Sequence, residues 1–329
     1  MPTHTTQHIA APNEAWQQAL SAFPESVHPA LSQLWLGKGV LTHATVAQLM
    51  QQLSCNLDDL MMRLLPLAQQ YAVVPVSHYQ VGAVAAGTDL QASGARSLYL
   101  GANFEFDDAA LSSSIHAEQC AINNAWLNGQ PGVSVLAVSA APCGYCRQFI
   151  NELVSAQSLT VLLPKALYNV ASRPFTSLLP DAFGPKDLGI DGGLMNPALG
   201  QHDLSINGAI APGLSATLAA AALDAANASY APYLTDKAHA YAGVAVLLDD
   251  GDVFAGRHAV NAAHNPSLSP LQSALAFMNL NRPWQASRVV TGAALVEVAT
   301  KASQLGTTRA TLQAYAPNAN LDYYTATVL

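Results

Sequence analysis

Four residues in the middle of the chain have types and spacing suited to metal-assisted hydrolysis. His116 is followed two residues later by Glu118, and Cys143 is separated from Cys146 by two residues. An imidazole and two thiolates are ligands that Zn²⁺ prefers, and three protein ligands leave the fourth tetrahedral position open for water. Glu118 is close enough in sequence to His116 to reach that water without binding the metal. The pattern therefore predicts a catalytic zinc centre in which Glu118 transfers protons.

Other interpretations of the cysteines remain open at this point. A Cys-x-x-Cys pair can be a redox-active dithiol or half of a structural zinc site. Cys120 lies one helical turn after His116 and could be a fourth ligand that closes the site to water. Such a chain would be a zinc-stabilised binding or scaffold protein. The upstream His-x-Glu favours the open, catalytic site.

Hydrophobic periodicity indicates which elements position these residues. Apolar residues recur at helical spacing up to about residue 70, and the pattern then changes to the order β-β-α-β-α-β. This order predicts a three-layer α/β/α domain with a mixed sheet, in which His116 and Cys143 each stand at the start of a helix. The positive end of a helix dipole helps to hold thiolates deprotonated there.

A second copy of this pattern follows a segment rich in Gly and Pro. Residues 241–246 echo residues 80–84, and no cysteine follows Cys146. The second copy is therefore predicted to keep the architecture without the metal site. The alignment places Asn261 over Asn103, Ser269 over His116 and Leu271 over Glu118.

We therefore predict an α/β chain with a duplicated domain. The expected parts are a helical N-terminal region (1–65), a catalytic zinc domain (66–190), a linker (191–212) and a degenerate, non-catalytic repeat (213–329).

Composition excludes several classes of function. Hydrophobic residues make up 51% of the 329 residues, charged residues make up 10%, and the net charge is −8. A protein that binds the backbone of a long nucleic acid needs a basic surface, so this partner is not expected. A membrane span, a signal peptide and a disulfide framework are not expected either, which favours the cytoplasm.

Three segments resemble the long-chain, homodimeric bacterial cytidine deaminases. They are residues 101–106 (GANFEF), 116–119 (HAEQ) and 181–188 (DAFGPKDL). The resemblance extends from about residue 45 to the C-terminus and is most specific between 99 and 190. The His-x-Glu and Pro-Cys-x-x-Cys signature is that of zinc deaminases that act on nucleobases. The resemblance implies deamination of cytidine and 2′-deoxycytidine in pyrimidine salvage, by zinc-activated hydroxide with Glu118 as proton shuttle.

The resemblance also implies a set of substrate contacts. Asn103 and Glu105 alternate at a strand end and therefore point to one face; by resemblance they bind the ribose 3′-hydroxyl. Tyr79 takes the place of a Phe that lies near the base in the family. The Ala117 N–H could donate to the pyrimidine carbonyl, and the Ala141 carbonyl could accept from the amino group.

Two further residues are implied to act across a subunit interface. By resemblance, Phe183 and the region of Ala263 complete the active site of the partner chain in a homodimer, and His264 departs from the aromatic residue expected beside Ala263.

Alternative activities are deamination of another small pyrimidine or of a nucleotide. Editing of RNA or single-stranded DNA would use the same chemistry but conflicts with the acidic charge. A nucleotide enzyme would need a basic phosphate clamp, which the 13 Lys and Arg residues do not obviously supply.

Overall fold

The computed structural model describes residues 13–37, 39–164, 170–235 and 238–329. The part of the predicted helical N-terminal region at residues 1–12 lies outside this range. The described chain contains N-terminal helices and two mixed-sheet α/β units, as the sequence predicted. None of its helices is both long and apolar enough to cross a membrane.

The regular elements follow the predicted alternation. The α-helices are α1 (Glu14–Leu20), α2 (His28–Trp35), α3 (His43–Gln52), α4 (Leu57–Gln69), α5 (Ala117–Leu127), α6 (Gly144–Asn151), α7 (Leu214–Asn227), α8 (Pro270–Asn281) and α9 (Leu305–Tyr315). The β-strands are β1 (Val40–Leu41), β2 (Gly82–Gly87), β3 (Leu98–Ala102), β4 (Val133–Val138), β5 (Thr160–Pro164), β6 (Val170–Pro174), β7 (Leu204–Ile206), β8 (Leu234–Thr235), β9 (Ala238–His239), β10 (Ala242–Leu248), β11 (Val253–Arg257), β12 (Val290–Val298) and β13 (Asn320–Val328).

The N-terminal helices are joined to the rest of the molecule by an aromatic cluster. Trp16 on α1 is fully buried and makes edge-on contacts with Trp35 and Tyr71. The same indole packs against Trp284, which lies in the second α/β unit. Aromatic pairs of this kind stabilise a fold beyond the apolar area they bury. The N-terminal helices therefore contact both halves of the chain.

The two units share a core of four strands in the same order. The first sheet has the order β1-β3-β2-β4-β5-β6, and the second has the order β11-β10-β12-β13-β7. In each sheet one pair of strands is parallel, β4 with β5 and β12 with β13, while the other pairs are antiparallel. Strands β2, β3, β4 and β5 thus correspond to β10, β11, β12 and β13.

Two glycines set how closely helices approach the first sheet. A Cβ on Gly82 would lie 2.7 Å from the Leu65 carbonyl oxygen of α4, and a Cβ on Gly101 would lie 2.2 Å from the Ala121 nitrogen of α5. Gly101 pairs with Ala83, the neighbour of Gly82, so the two glycines face opposite sides of the sheet. Helices α4 and α5 therefore cover opposite faces and form the predicted three layers.

The second unit repeats both contacts. A Cβ on Gly243 would lie 2.3 Å from the Ala222 carbonyl oxygen of α7, and one on Gly256 would lie 2.1 Å from the Ala274 nitrogen of α8. Helix α7 is thus the counterpart of α4, and α8 is the counterpart of α5. The duplication is therefore visible in the backbone packing as well as in the strand order.

Two of the domain boundaries predicted from the sequence do not coincide with the ends of the structural units, and one does. The division between residues 65 and 66 lies inside α4, because α4 packs on the first sheet rather than only on the N-terminal helices. The segment predicted as a linker contains β7, which pairs with β13 of the second sheet. The division at residue 213 immediately precedes α7.

Buried polar groups join the two units where α5 meets α8. Asn123 donates to the Ser273 carbonyl oxygen at 3.0 Å and accepts from the Ser273 hydroxyl at 2.7 Å. Both residues are buried. Because each buried group has its partner on the other unit, this contact holds α5 and α8 together in one arrangement.

The close approach at Gly256 generates a stability prediction. We expect Gly256→Ala to lower the free energy of unfolding by roughly 3 kcal/mol, because its Cβ would overlap the α8 backbone. Gly306→Ala on α9 is the matched control, since a Cβ there meets no atom within 4 Å. That change should raise stability slightly, by about 0.5–1 kcal/mol. Chemical denaturation of the full chain measures both, and equal stability of Gly256→Ala and wild type would contradict the packing described.

Candidate active site

The ends of two helices bring the candidate metal ligands together. His116 immediately precedes α5, Cys143 immediately precedes α6, and Cys146 lies in the first turn of α6. One ligand atom from each residue lies within 4.8 Å of the others. His116 Nδ1 is 3.5 Å from Cys143 Sγ and 3.2 Å from Cys146 Sγ. The described residues contain no second cluster of this kind.

The ionisation of the two thiols fits a divalent cation at this point. A hydrogen bond from Cys146 lowers the pKa of Cys143 to about 5. The same hydrogen bond, together with burial, raises the pKa of Cys146. The two sulfurs therefore interact through a hydrogen bond, and positive charge beside them would favour ionisation of both. Zn²⁺ supplies that charge and is commonly bound by two thiolates and one imidazole, so the residues present fit this metal.

Cys120 does not join the cluster. Its side chain is 1% exposed, its hydrogen-bond partner is the Ala102 backbone, and burial raises its pKa. Its sulfur is not among the mutually close ligand atoms. The closed site with Cys120 as fourth ligand therefore does not form, because the start of α5 turns this thiol toward β3 rather than toward Cys143.

Glu118 lies in the first turn of α5 beside the cluster. Its side chain is 4% exposed, and its carboxyl group hydrogen-bonds the Cys146 thiol. Burial is the largest cause of a raised pKa for this group. A carboxyl whose pKa lies above its usual value is suited to give and take a proton near neutral pH.

A cavity of about 300 Å³ opens above these residues. We call it the catalytic pocket, and it brings together most of the predicted site residues. Ser77, Ser114 and Ala140 also line it, although the sequence analysis did not identify them. The full lining consists of Ser77, Tyr79, Val81, Asn103, Glu105, Ser114, Ile115, His116, Ala117, Glu118, Ala140, Ala141 and Cys143.

Asn103 fixes the segment that carries Tyr79. Its amide nitrogen donates to the Tyr79 carbonyl oxygen at 2.9 Å, and its amide oxygen accepts from the Val81 N–H at 2.9 Å. The exposed Tyr79 side chain, 62% accessible, stands at the rim of the pocket. Asn103 therefore holds the backbone of residues 79–81 in place, and its own side chain also lines the pocket.

Glu105 holds the preceding part of the same segment. Its carboxylate accepts from the Val76 N–H at 3.1 Å, the Ser77 N–H at 2.9 Å and the Ser77 hydroxyl. Partial burial raises the pKa of Glu105, but these hydrogen bonds outweigh it and lower the pKa overall. Glu105 is therefore an anion with three donors already in place. Ser77 was not predictable because 28 residues separate it from Glu105.

Phe183 and Ala263 lie outside the catalytic pocket of their own chain and close to each other. The Gln148 side chain donates to the Phe183 carbonyl oxygen at 2.8 Å. The Asn261 side chain donates to the Gln148 carbonyl oxygen at 3.0 Å and accepts from the Ala263 N–H at 2.9 Å. The Phe183 side chain is 48% exposed. Phe183 of the first unit and Ala263 of the second are therefore linked through Gln148 and Asn261 and belong to one surface.

A buried carboxylate, which the sequence analysis missed, fixes this surface. Glu152 is 1% exposed and accepts from the Tyr230 hydroxyl at 2.7 Å, the Tyr233 hydroxyl and the Ala262 N–H at 2.9 Å. Each donor comes from the second unit, whereas Glu152 follows α6 in the first. A buried carboxylate with three donors is a rigid anchor, so the backbone next to Ala263 is held in one position.

The structure corrects the alignment of Asn261 with Asn103. Phe104 bridges to Val73 and to Ile115, and Ala259 makes the same two bridges to Tyr230 and Leu268. Residue 104 therefore corresponds to residue 259. Asn103 consequently corresponds to His258, and Glu105 to Val260. The predicted alignment therefore placed Asn261 three residues too far along the chain, and the loop before α8 is two residues shorter than the loop before α5.

The described residues of the second unit do not repeat the ligand cluster of the first. Ser269 precedes α8 as His116 precedes α5, and the buried Leu271 takes the place of Glu118. Gln304 precedes α9 as Cys143 precedes α6. These side chains do not provide the ligand set of the first unit.

Comparison with known proteins agrees with this architecture. The family model described as "cytidine and deoxycytidylate deaminase zinc-binding region" matches at residues 55–162, and a second model of the same description matches at residues 175–309. A cytidine deaminase of Aliivibrio fischeri is 39% identical over 310 residues, which cover 93% of this chain and 96% of the relative. One from Vibrio cholerae (strain O395) is 41% identical over 312 residues, covering 93% and 97%.

Solved structures show a shorter match. A crystal structure of cytidine deaminase from Burkholderia pseudomallei is 30% identical, with a TM-score of 0.33; the match covers 38% of this chain and 98% of that chain. The curated relatives, in contrast, match over nearly their whole length. The chain therefore belongs to the cytidine deaminase family, in a long form that carries two copies of the deaminase fold.

Proposed function

We propose that this chain catalyses the hydrolytic deamination of cytidine and 2′-deoxycytidine to uridine, or 2′-deoxyuridine, and ammonia, as a step in pyrimidine salvage. One observation carries the proposal: the buried carboxyl group of Glu118 lies beside a cluster of three side chains that can bind a metal, in a pocket of about 300 Å³. The curated relatives that match most of the chain are named cytidine deaminases. Their name and the arrangement of the pocket support the same reaction.

His116, Cys143 and Cys146 would hold zinc, because their donor atoms converge and positive charge beside the two thiols favours ionisation of both. When bound, zinc supplies Lewis-acid chemistry that makes water nucleophilic near neutral pH. The positive ends of α5 and α6 both point at this cluster and favour the ionised thiols.

Glu118 is the group we assign to proton transfer. Its position between the cluster and the pocket lets one carboxyl accept a proton from the attacking water and deliver it to N3 of the pyrimidine. The same group then helps to protonate the departing amino nitrogen. Burial excludes competing water and places the pKa of Glu118 above its usual value, which suits both transfers.

Backbone groups around the pocket are assigned to recognition of the base. The Ala117 N–H is proposed to donate to the pyrimidine carbonyl, and the Ala141 carbonyl to accept from the amino group, since both residues line the pocket. Glu105 keeps acceptor capacity beyond its three internal donors and is proposed to accept from the ribose 3′-hydroxyl. Asn103 lines the same pocket and is proposed to bind this hydroxyl as well, while it keeps the Tyr79 segment in place.

A nucleoside is favoured over a nucleotide. No Lys or Arg lines the catalytic pocket in the described chain, whereas two carboxyl groups, Glu105 and Glu118, do. A phosphate would therefore meet negative charge without a basic partner. The same lack of basic groups argues against a long nucleic acid as substrate.

We also propose a homodimer whose active sites are completed by the partner chain. Phe183 and Ala263 are held together outside the catalytic pocket, and Phe183 is an exposed aromatic residue. Exposed aromatic groups on a rigid surface are typical of interfaces. The divisions proposed for the chain are those predicted at residues 65, 190 and 212, except that the first is moved to the start of α4 at Leu57, because α4 packs on the first sheet. The four unpaired cysteines support a location in the cytoplasm.

The first prediction for this function concerns the metal. Cys146→Ala should lose bound zinc, whereas Cys120→Ala should retain about one zinc per chain, because only the former thiol belongs to the cluster. Metal analysis of the purified variants measures the difference. Loss of zinc from Cys120→Ala with retention in Cys146→Ala would reverse the assignment.

The second prediction concerns proton transfer. Glu118→Gln should keep the fold and the zinc but lower kcat for cytidine by about 10²–10⁴-fold or more, because the amide cannot shuttle protons. The decrease in cytidine absorbance gives the rate, and metal analysis is the control. Turnover near that of wild type would contradict the role of Glu118.

The third prediction tests the shared active site. Phe183→Ala should be nearly inactive as a homodimer, and so should Glu118→Gln. After the two are co-refolded at equal amounts, half of the dimers are mixed, and one site in each mixed dimer is intact. We therefore expect about one quarter of the wild-type activity.

A matched mixture distinguishes this complementation from simple dilution. Glu118 and Cys146 both belong to the part of an active site that one chain supplies by itself. Mixed dimers of Glu118→Gln and Cys146→Ala therefore contain no intact site and should stay inactive. Full activity of Phe183→Ala alone, or no recovery in the first mixture, would argue that each chain works by itself.

A further inference from the structure

A second cavity lies where the unit without the catalytic residues meets the first unit, since Ala110, Ser112, Ser113 and Tyr145 of the first unit line part of it. It consists of two adjoining lobes of about 450 and 480 Å³ that share His258, Ser267 and Gln304. We call these two lobes the second cavity. Ser269, Thr307 and Thr311 line one lobe, and Tyr233 and Val260 line the other.

The second cavity occupies the position that corresponds to the catalytic pocket. His258 stands where Asn103 stands in the first unit, and Ser269 and Gln304 precede helices as His116 and Cys143 do. Replacement of the ligands has therefore not filled the space. The backbone that shapes a nucleoside-sized pocket is present twice, once with a metal cluster and once without.

Hydrogen-bonding groups in this cavity lack partners within the protein. His258 is 5% exposed, and its Nδ1 lies 3.0 Å from the Ala240 carbonyl oxygen, to which it donates. Burial lowers the pKa of His258 to about 4, so the ring is neutral and Nε2 is an acceptor. Within the described chain Nε2 has no partner. The Thr311 hydroxyl is likewise buried without a partner.

The half-buried Gln304 adds a donor and an acceptor to the same wall. Its backbone N–H donates to the Glu297 carboxylate and its carbonyl oxygen accepts from the Thr308 N–H at 2.9 Å, whereas its side-chain amide has no partner in the described residues. A buried polar group without a partner is unfavourable, so groups of this kind mark a place where a ligand or ordered water completes the hydrogen bonding.

The lining carries no formal charge. None of the described residues that form either lobe is Lys, Arg, Asp or Glu. A phosphorylated or otherwise ionic ligand would therefore be desolvated without compensation. A ligand with several uncharged donors and acceptors would not.

We propose that the second cavity binds an uncharged pyrimidine nucleoside or nucleobase without transforming it. The position of the cavity, its size, its neutral lining and its unpartnered donors and acceptors all match this ligand class. Leu271 stands in place of Glu118, and Ser269 and Gln304 stand in place of His116 and Cys143, so binding there leads to no reaction.

Equilibrium dialysis of the full-length, zinc-loaded protein against labelled uridine tests the proposal. We expect two uridine sites per chain in the wild type. Gln304→Ala and Thr311→Val should each weaken one site about fivefold or more, because each removes hydrogen-bonding capacity from the second cavity. Deamination of saturating cytidine should stay within about twofold of wild type in both variants, since neither residue lines the catalytic pocket.

Gln313→Ala on the exposed side of α9 is the matched control and should leave both uridine sites unchanged. Uridine monophosphate, which carries charge, should not compete at the second site. A single site in the wild type, two sites that neither cavity variant weakens, or tighter binding of the monophosphate at the second site would each overturn the proposal.

Discussion

The contact on which the structure depends is the close approach of α5 to β3 at Gly101. A side chain at this position would penetrate the helix backbone, since its Cβ would lie 2.2 Å from the Ala121 nitrogen. This approach sets the start of α5, and with it His116 and Glu118, at the end of the strand that leads to Asn103 and Glu105. Because backbone sterics fix the contact, it does not depend on the catalytic side chains. Gly256 makes the same contact with α8, which explains how the second unit retains the fold after losing every ligand.

Electrostatics then decides what the first unit can bind. Two adjacent thiols and the buried carboxyl of Glu118 concentrate ionisable groups that would repel each other when charged. Helix dipoles relieve part of this repulsion, and a divalent cation relieves most of the remainder. Glu105 adds a further negative charge at the other side of the pocket. A neutral nucleoside is compatible with this field, whereas an anionic phosphate is not. The charge of the pocket therefore limits the substrate class as strongly as its shape does.

Local motifs made the metal cluster predictable, whereas contacts between distant segments were not. His116, Glu118, Cys143 and Cys146 occupy short, fixed spacings, and helix starts convert those spacings into convergent side chains. Sequence periodicity likewise predicted the first α/β domain, and the echo of residues 80–84 in residues 241–246, together with the family resemblance, predicted its duplication. The alignment of Asn261 failed because residue types paired two asparagines, whereas the strand bridges place His258 at the position of Asn103. Glu152 could not have been found from spacing, since its donors lie between 78 and 110 residues away.

The remaining question is why a unit without ligands stays attached to a catalytic one, and Arg257 supplies a structural reason. Its guanidinium donates to the Trp126 carbonyl oxygen at 2.8 Å, near the C-terminus of α5, and to the Ala228 carbonyl oxygen at 3.3 Å, just after α7. It also lies 4.3 Å from the centre of the Trp126 ring. A cation at two helix C-termini is favourable with respect to both dipoles. The second unit thus anchors the end of α5 opposite to Glu118, so it supports the catalytic helix without taking part in the chemistry.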